Sequence, residues 1–356
     1  RHSPVQVADA NVSAIASGQL HSLFLKTNGS LWAMGRNVNG RLGDGTIVDR
    51  HIPVQVVDAN VTAIAAGNAH SLFLKTDRTL WVMGNNLSGR LGDGTTIERR
   101  TPVQVASNVM RIAAGNEHSV YEKLDGTLWV VGRNQLGQLG DGADISRTSP
   151  IEFVDGNVTL VSAGKNHGLY RKSNGSLWAV GSNNSGKLGN GSQVHSSIPL
   201  QILDGNVTAV SGGGDHSLFL KADGSLWAMG HNGDGQLGDG TTTHRLSPIR
   251  IVEANVSAVD AHSNHSLFIK NNGSLWAMGR NQFGQLGDGT TTSRSSPVQI
   301  VNANVTAVST GDQHSLFLKN DGALWSMGRN ADGRLGDGTT TSRLTPVRVI
   351  DANVTA

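Results

Sequence analysis

Short runs of apolar residues, separated by turn residues, recur along the whole chain. In one unit they read NVTAIAAG, HSLFLK, SLWAMG and PVQV. These runs are rich in β-branched, aromatic and small side chains and predict four strands, A to D, with no helical periodicity. Aligning the units on tryptophan gives Trp32, Trp81, Trp129, Trp178, Trp227, Trp276 and Trp325, spaced by 49 residues with a single 48. Eleven residues before each stands a histidine: His21, His70, His118, His167, His216, His265 and His314. Seven four-stranded units of this length predict an all-β, seven-bladed β-propeller with four antiparallel strands per blade. Residues 1–356 are then one domain built of 48–49-residue repeats.

The local chemistry assigns places to the strands. Strand A, with Ala65-Ala66-Gly67 and its equivalents, has the smallest side chains and is expected nearest the axis, while the tryptophans of strand C fill the widening wedge outside. Asn-Gly or Asp-Gly joins B to C at Asn28-Gly29, Asp125-Gly126, Asn174-Gly175, Asp223-Gly224, Asn272-Gly273 and Asp321-Gly322, the signal of a tight hairpin. Blade two has Asp77-Arg78 instead, so Arg78 must take a positive φ or the turn must change. Gly-x-Leu-Gly-Asp-Gly loops such as Gly284 to Gly289 lack both the Lys-Ser/Thr of a phosphate loop and the spaced carboxylates of a calcium loop. Their glycines are expected to supply positive φ, with Leu237 and its equivalents as anchors. Asn-x-Ser/Thr sequons such as Asn60-Val61-Thr62 lead into the inner strand and are read as strand chemistry rather than glycosylation sites.

Composition removes several classes of function. With 29 basic and 27 acidic residues among 356, and no basic block, nothing marks a nucleic-acid or anionic-membrane surface. No run approaches the roughly 18 apolar residues of a membrane helix. Zero cysteines exclude disulfides, thiolate metal sites and cysteine nucleophiles without indicating a compartment. Opening at Arg1, the chain is expected to carry no signal peptide.

Gly67-Asn68-Ala69-His70-Ser71, Trp227-Ala228-Met229-Gly230 and Gly235-Gln236-Leu237-Gly238 resemble the repeat of the regulator of chromosome condensation family, and the resemblance covers the whole chain. It implies the propeller and leaves the activity open, because that family includes a nucleotide exchange factor, a plant ultraviolet photoreceptor, ubiquitin-ligase modules and a secreted bacterial β-lactamase inhibitor. Even spacing leaves no room for the projecting β-wedge of the exchange factor, and all seven tryptophans occupy one repeated position rather than a clustered dimer surface. The near-identity of the repeats points to a bacterial-type member, secreted or at the cell surface, or to an engineered or recently amplified array.

Candidate chemistry is sparse. The seven histidines, like the seven tryptophans, are read as structural, each making the same bond in every blade. Blade six departs with Asp260-Ala261-His262-Ser263-Asn264-His265, where Asp260 and His262 share a strand face and are the metal candidates. A–B and C–D connections emerge on one face, and differences among blades collect there: Glu117, Lys165, Asp215 and Asp312 in A–B loops, and Phe283 in a C–D loop, are the partner-binding candidates. As exposed loop residues, Glu117, Lys165 and Asp215 are expected to tolerate charge reversal at a cost within about 0.5 kcal/mol. Glu122 and Arg171, which replace apolar residues in strand B of blades three and four, are expected to pair with each other.

Function is therefore expected to be a non-catalytic protein-interaction or scaffold module, without cofactors, holding a protein partner on the A–B/C–D face. The alternatives are an exchange-factor-like regulator and an enzyme at the channel mouth, although the variable loops contain no paired carboxylates and no Ser, His and Asp trio. Segments 1–14 and 343–356 are near copies. The covalently continuous choice, strand D of blade seven from Pro346 to Ile350 and strand A of blade one from Asn11 to Gly18, is expected to close the ring. A monomer is expected, with strand exchange between chains open to the spare copy.

Overall fold

The computed structural model describes residues 11–154 and 157–350. Blade one consists of β1 (Val12–Ser17), β2 (His21–Lys26), β3 (Leu31–Gly35) and β4 (Arg50–Val57), in positions A to D. The same order repeats to blade seven, made of β25 (Val305–Thr310), β26 (His314–Lys319), β27 (Leu324–Gly328) and β28 (Arg343–Ile350). Among the described residues there are seven such four-stranded antiparallel sheets, each contiguous in sequence. Strand D of blade seven pairs with β27 and strand A of blade one with β2, the covalently continuous choice. Residues 1–10 and 351–356, which carry most of the duplicated segments, lie outside the described residues.

Cohesion comes from between the blades. Leu23, Leu25, Leu31, Ala33 and Leu42 of blade one pack against Val61, Phe73 and Met83 of blade two, and the pattern recurs around the ring. The ring closes in the same way: Leu316, Leu318, Leu324 and Val349 of blade seven meet Val12, Phe24 and Met34 of blade one. Ser17 N adds a hydrogen bond to Ser309 Oγ across that junction, at 2.9 Å. Burying both faces of every sheet is what makes four-residue runs of apolar side chains stable as strands, since each buried aliphatic side chain contributes about 1.5–3 kcal/mol.

The B–C hairpins depart from a two-residue turn. Gly29 N donates to Lys26 O and Lys26 N to Ser30 O, which is a type I turn followed by Gly29 at φ +79°, a three-residue loop with a bulge. Asn28 keeps an ordinary φ, and its Oδ1 accepts from Ser30 N at 3.0 Å and Ser30 Oγ at 2.7 Å. Blade two keeps this turn unchanged, and Arg78 takes φ +65° in the glycine position. Trp32 is half-buried, stacked on the fully buried Phe24 with centroids 6.1 Å apart, and Lys26 Nζ lies over its ring, 4.8 Å from the centroid. Its indole N–H donates to Ser30 Oγ at 3.0 Å.

Asn60 and its equivalents Asn11, Asn108, Asn157, Asn206, Asn255 and Asn304 are exposed and hold φ between 58° and 88°. The left-handed backbone that Asn tolerates explains why this residue recurs, and it places the sequon asparagines at the surface just outside strand A. Glu122 and Arg171 do not pair. Glu122 meets Arg111 of its own blade at 2.6 Å, while Arg171 donates to Thr159 Oγ1 and to Val207 O. Adjacent strands of one sheet bring side chains closer than equivalent positions in two packed blades, and Arg111 was the nearer partner.

Candidate partner face and axial channel

Six of the seven blades are locked to the next through their histidine. His21 Nε2 lies 2.8 Å from Ser71 Oγ in blade two, and Ser71 Oγ donates to Arg41 O at 2.7 Å. With the serine proton spent on that carbonyl, the histidine must be the donor, protonated on Nε2. The bond repeats at His70, His167, His216, His265 and His314, the last reaching Ser22 across the closure. Burial lowers every one of these pKa values, to about 3 for His216 and His265 and about 4 for His118, so the rings are neutral. The one break is in blade four, where Gly168 replaces the serine and leaves both nitrogens of His118 without a partner. In six blades a glycine three residues before the histidine makes room for the ring: a Cβ on Gly18 would fall 2.2 Å from His21 Cε1.

The C–D loops are built by a clamp that motif reading missed. Asn37 Nδ2 donates to Asp44 Oδ1 at 2.8 Å, Asn37 Oδ1 accepts from Leu42 N at 3.0 Å, and Arg50 closes on Asp44 at 2.6 Å. Leu42 is fully buried beneath it, as are Leu237 and the other anchors, while Gly235, Gly238 and Gly240 hold φ near +80°. The clue in the sequence was the fixed Asn, Asp and Arg spacing. Blade four loses both charges together, with Asn190 and Ser196 in place of Asp and Arg.

Both loop sets lie on one face, since Arg36 N of the C–D loop donates to Leu20 O of the A–B loop at 2.9 Å. The structure divides the five partner candidates. Glu117 bridges Arg133 at 2.6 Å and Arg90 of the preceding blade at 3.3 Å. Asp215 pairs with Lys187, whose side chain is fully buried. Burial opposes ionisation of both carboxyls, but their cationic partners outweigh it and hold both below the usual carboxylate range. Reversing either charge would strand a buried cation, so the small cost expected for exposed loop residues does not apply to these two. Phe283 lies under the Arg329 guanidinium, 5.0 Å from the ring centroid.

Lys165 and Asp312 are brought together with His262 instead. With Gln19 and Asn116 they line a cavity of about 40 Å³ at the axis. Below it runs a channel of about 220 Å³ lined by the A strands, which the small residues predicted. Its wall is two-sided: Ala16, Ala65 and Ala113 face Ser162, Ser211, Asp260 and Ser309, which occupy the same strand position in later blades. Each polar member accepts a backbone N–H from the next blade, as Ser162 Oγ does from Gly212 N at 3.0 Å. Asp260 uses its carboxylate the same way, accepting from Thr310 N at 2.6 Å, Thr310 Oγ1 at 2.7 Å and Ser211 Oγ at 3.3 Å. Burial raises its pKa against those bonds. His262 stands where six blades have the glycine, and the turn accommodates it by lengthening strand A to His262 and placing Ser263 at φ +42°. Burial lowers its pKa, while the charges of Asp312 and Asp260 oppose the shift. Among the described residues no group of three or more His, Asp and Glu side chains is arranged to hold a metal ion.

Comparison with known proteins agrees with this architecture. Human WBSCR16 superposes with a TM-score of 0.80 at 23% identity, over 90% of this chain and 93% of that one. Prp20p from Saccharomyces cerevisiae, described for its binding to Gsp1p and histones, gives 0.81 at 21% identity over 92% and 88%. The yeast protein in its complex with Kap60 gives 0.79 at 19% identity over 98% and 86%. No curated protein matches the sequence. At these identities the structural likeness speaks for the fold alone, but the model of the RCC1-like domain matches residues 1–253 and again residues 106–355, and the chain belongs to the RCC1-like domain family.

Proposed function

We propose that the chain is a non-catalytic module that holds a protein partner on the face formed by the A–B and C–D loops. The observation that carries this reading is an apolar arc. Val48, Ile97, Ile145 and Val194 occupy one equivalent position in the C–D loops of blades one to four and are 57–74% exposed. Blades five to seven have Thr243, Thr292 and Thr341 there. Ile47 and Leu87 extend the arc, with Leu87 76% exposed. Aliphatic side chains gathered on one side of one face, with threonine sufficient elsewhere in the same loop, fit a surface that is covered when a partner is bound. Lys165, Asp312 and Phe283 lie on the same face, whereas Glu117 and Asp215 hold blades together.

The yeast relatives, described as binding Gsp1p, histones and Kap60, make a protein partner the natural class. An exchange-factor mode has less support, because fourteen residues separate strands C and D in every blade and none is enlarged into a projecting element. The test replaces Val48, Ile97, Ile145 and Val194 together with threonine. Capture of partners from the source organism, read by mass spectrometry against the unaltered protein, should lose its specific members while Tm holds. Retention of the same partners, or their loss on changing Leu124 at the opposite hairpin face, would show the face to be wrongly assigned.

A further inference from the structure

At the mouth of the axial channel three titratable side chains meet without partners among the described residues. Glu117 and Asp215 are taken up by Arg90, Arg133 and Lys187. The side chains of Lys165, His262 and Asp312 make no hydrogen bond and no ion pair among the described residues, yet all three line the same small cavity. Lys165 belongs to blade four and Asp312 to blade seven, so opposite charges stand on different sides of the axis without meeting. Held apart over an opening, such a pair is complementary to a ligand that is itself dipolar. The rim is rigid: Lys165 N donates to Gly213 O at 3.0 Å, Asn116 N to Lys165 O at 3.3 Å and Gly214 N to Ser263 O at 2.9 Å, each bond joining two blades.

We propose that this mouth binds the ammonium and carboxylate groups of a free α-amino acid, with Lys165 taking the carboxylate, Asp312 the ammonium, and the side chain directed into the channel below. His262 lines both cavities and joins them. The channel of about 220 Å³ is walled by alanines on one side and by Ser162, Ser211, Ser309 and Asp260 on the other, which suits a small or hydroxylated side chain such as that of alanine or serine. A polypeptide terminus carries one of the two charges and not both, so the pair selects a free amino acid over the end of a protein chain. The site is independent of the apolar arc, and neither proposal stands or falls with the other.

The test is titration calorimetry and ligand-observed NMR with glycine, L-alanine and L-serine, against acetate and methylammonium as single-charge probes, each to about 10 mM. The amino acids should bind at least roughly ten-fold tighter than either single-charge probe. Lys165→Met and Asp312→Asn should each weaken glycine binding by about ten-fold or more without moving the Tm of the free protein, and the fourfold threonine variant of the arc should bind as the unaltered protein does. No binding of any amino acid at that concentration would overturn the proposal. So would methylammonium binding as well as glycine and surviving Lys165→Met, which marks a simple cation site, or acetate binding as well and surviving Asp312→Asn, which marks an anion site.

Discussion

Restoring serine at position 168 should stabilise the whole ring. Gly168 is the one place where the histidine-to-serine chain is interrupted, leaving His118 buried with neither nitrogen paired. A Cβ there would meet only Val180 Cγ1, at 3.5 Å, so the side chain fits without strain. Gly168→Ser supplies an acceptor for His118 Nε2–H and a hydroxyl donor for Gln138 O, matching Ser119, which meets His70 at 3.0 Å and Arg90 O at 2.7 Å. Each hydrogen bond contributes about 1 kcal/mol net, and removing a strand glycine adds about 0.5–1 kcal/mol. Gly168→Ala separates the two effects, because it has the backbone gain without the bonds. The serine variant should exceed the alanine variant by about 1–2 kcal/mol and the parent by about 2 kcal/mol. With an unfolding entropy of roughly 2.1 cal/mol/K per residue, the latter raises Tm by about 3 °C for 356 residues. Urea unfolding and calorimetry measure both differences. A serine variant no more stable than the alanine variant would refute the reasoning that the unpaired His118 is a cost.

Three further outcomes are expected. Arg78→Gly relieves a left-handed conformation in an otherwise unchanged turn and should raise stability by about 1 kcal/mol, read from the urea midpoint; a loss would mean that the Arg78 side chain contributes more than its backbone costs. Ala323→Ser gives the buried Trp325 indole N–H the acceptor that Ser30 or its equivalent provides in the other six blades, and should add about 1 kcal/mol, with the indole proton of Trp325 shifting in the NMR spectrum. Acid should unfold the protein early: an unfolded histidine binds a proton below about pH 6.5, whereas folded His118 does so only near 4 and His216 and His265 only near 3, so stability falls as pH drops through that window by up to about 1.4 kcal/mol per unit for each ring. Tm measured from pH 7 to 5 should decline before the carboxylates titrate, and a flat profile would show the rings to be protonated in the folded state.

Blade number, strand order, the small-residue inner strand and the hairpin sites were legible in the sequence. They follow from short-range patterns, alternation and turn chemistry, copied seven times, and a repeat averages away local ambiguity. The structural role of the histidines was legible for the same reason, although its partner was not: Ser71 sits one residue after His70 and serves His21, a pairing that only the stacking of blades creates. Charge pairing was the least legible property. Glu117 and Asp215 look like free loop carboxylates, and Glu122 looks matched to Arg171, until the packing shows Arg90, Lys187 and Arg111 within reach. Coulomb and hydrogen-bond partners are set by distances of a few ångströms between segments that the chain keeps 11 to 28 residues apart, and those distances exist only once the ring has formed. The gathering of Lys165, His262 and Asp312 at the axis has the same origin, because three different blades contribute one side chain each to a cavity that no single repeat contains.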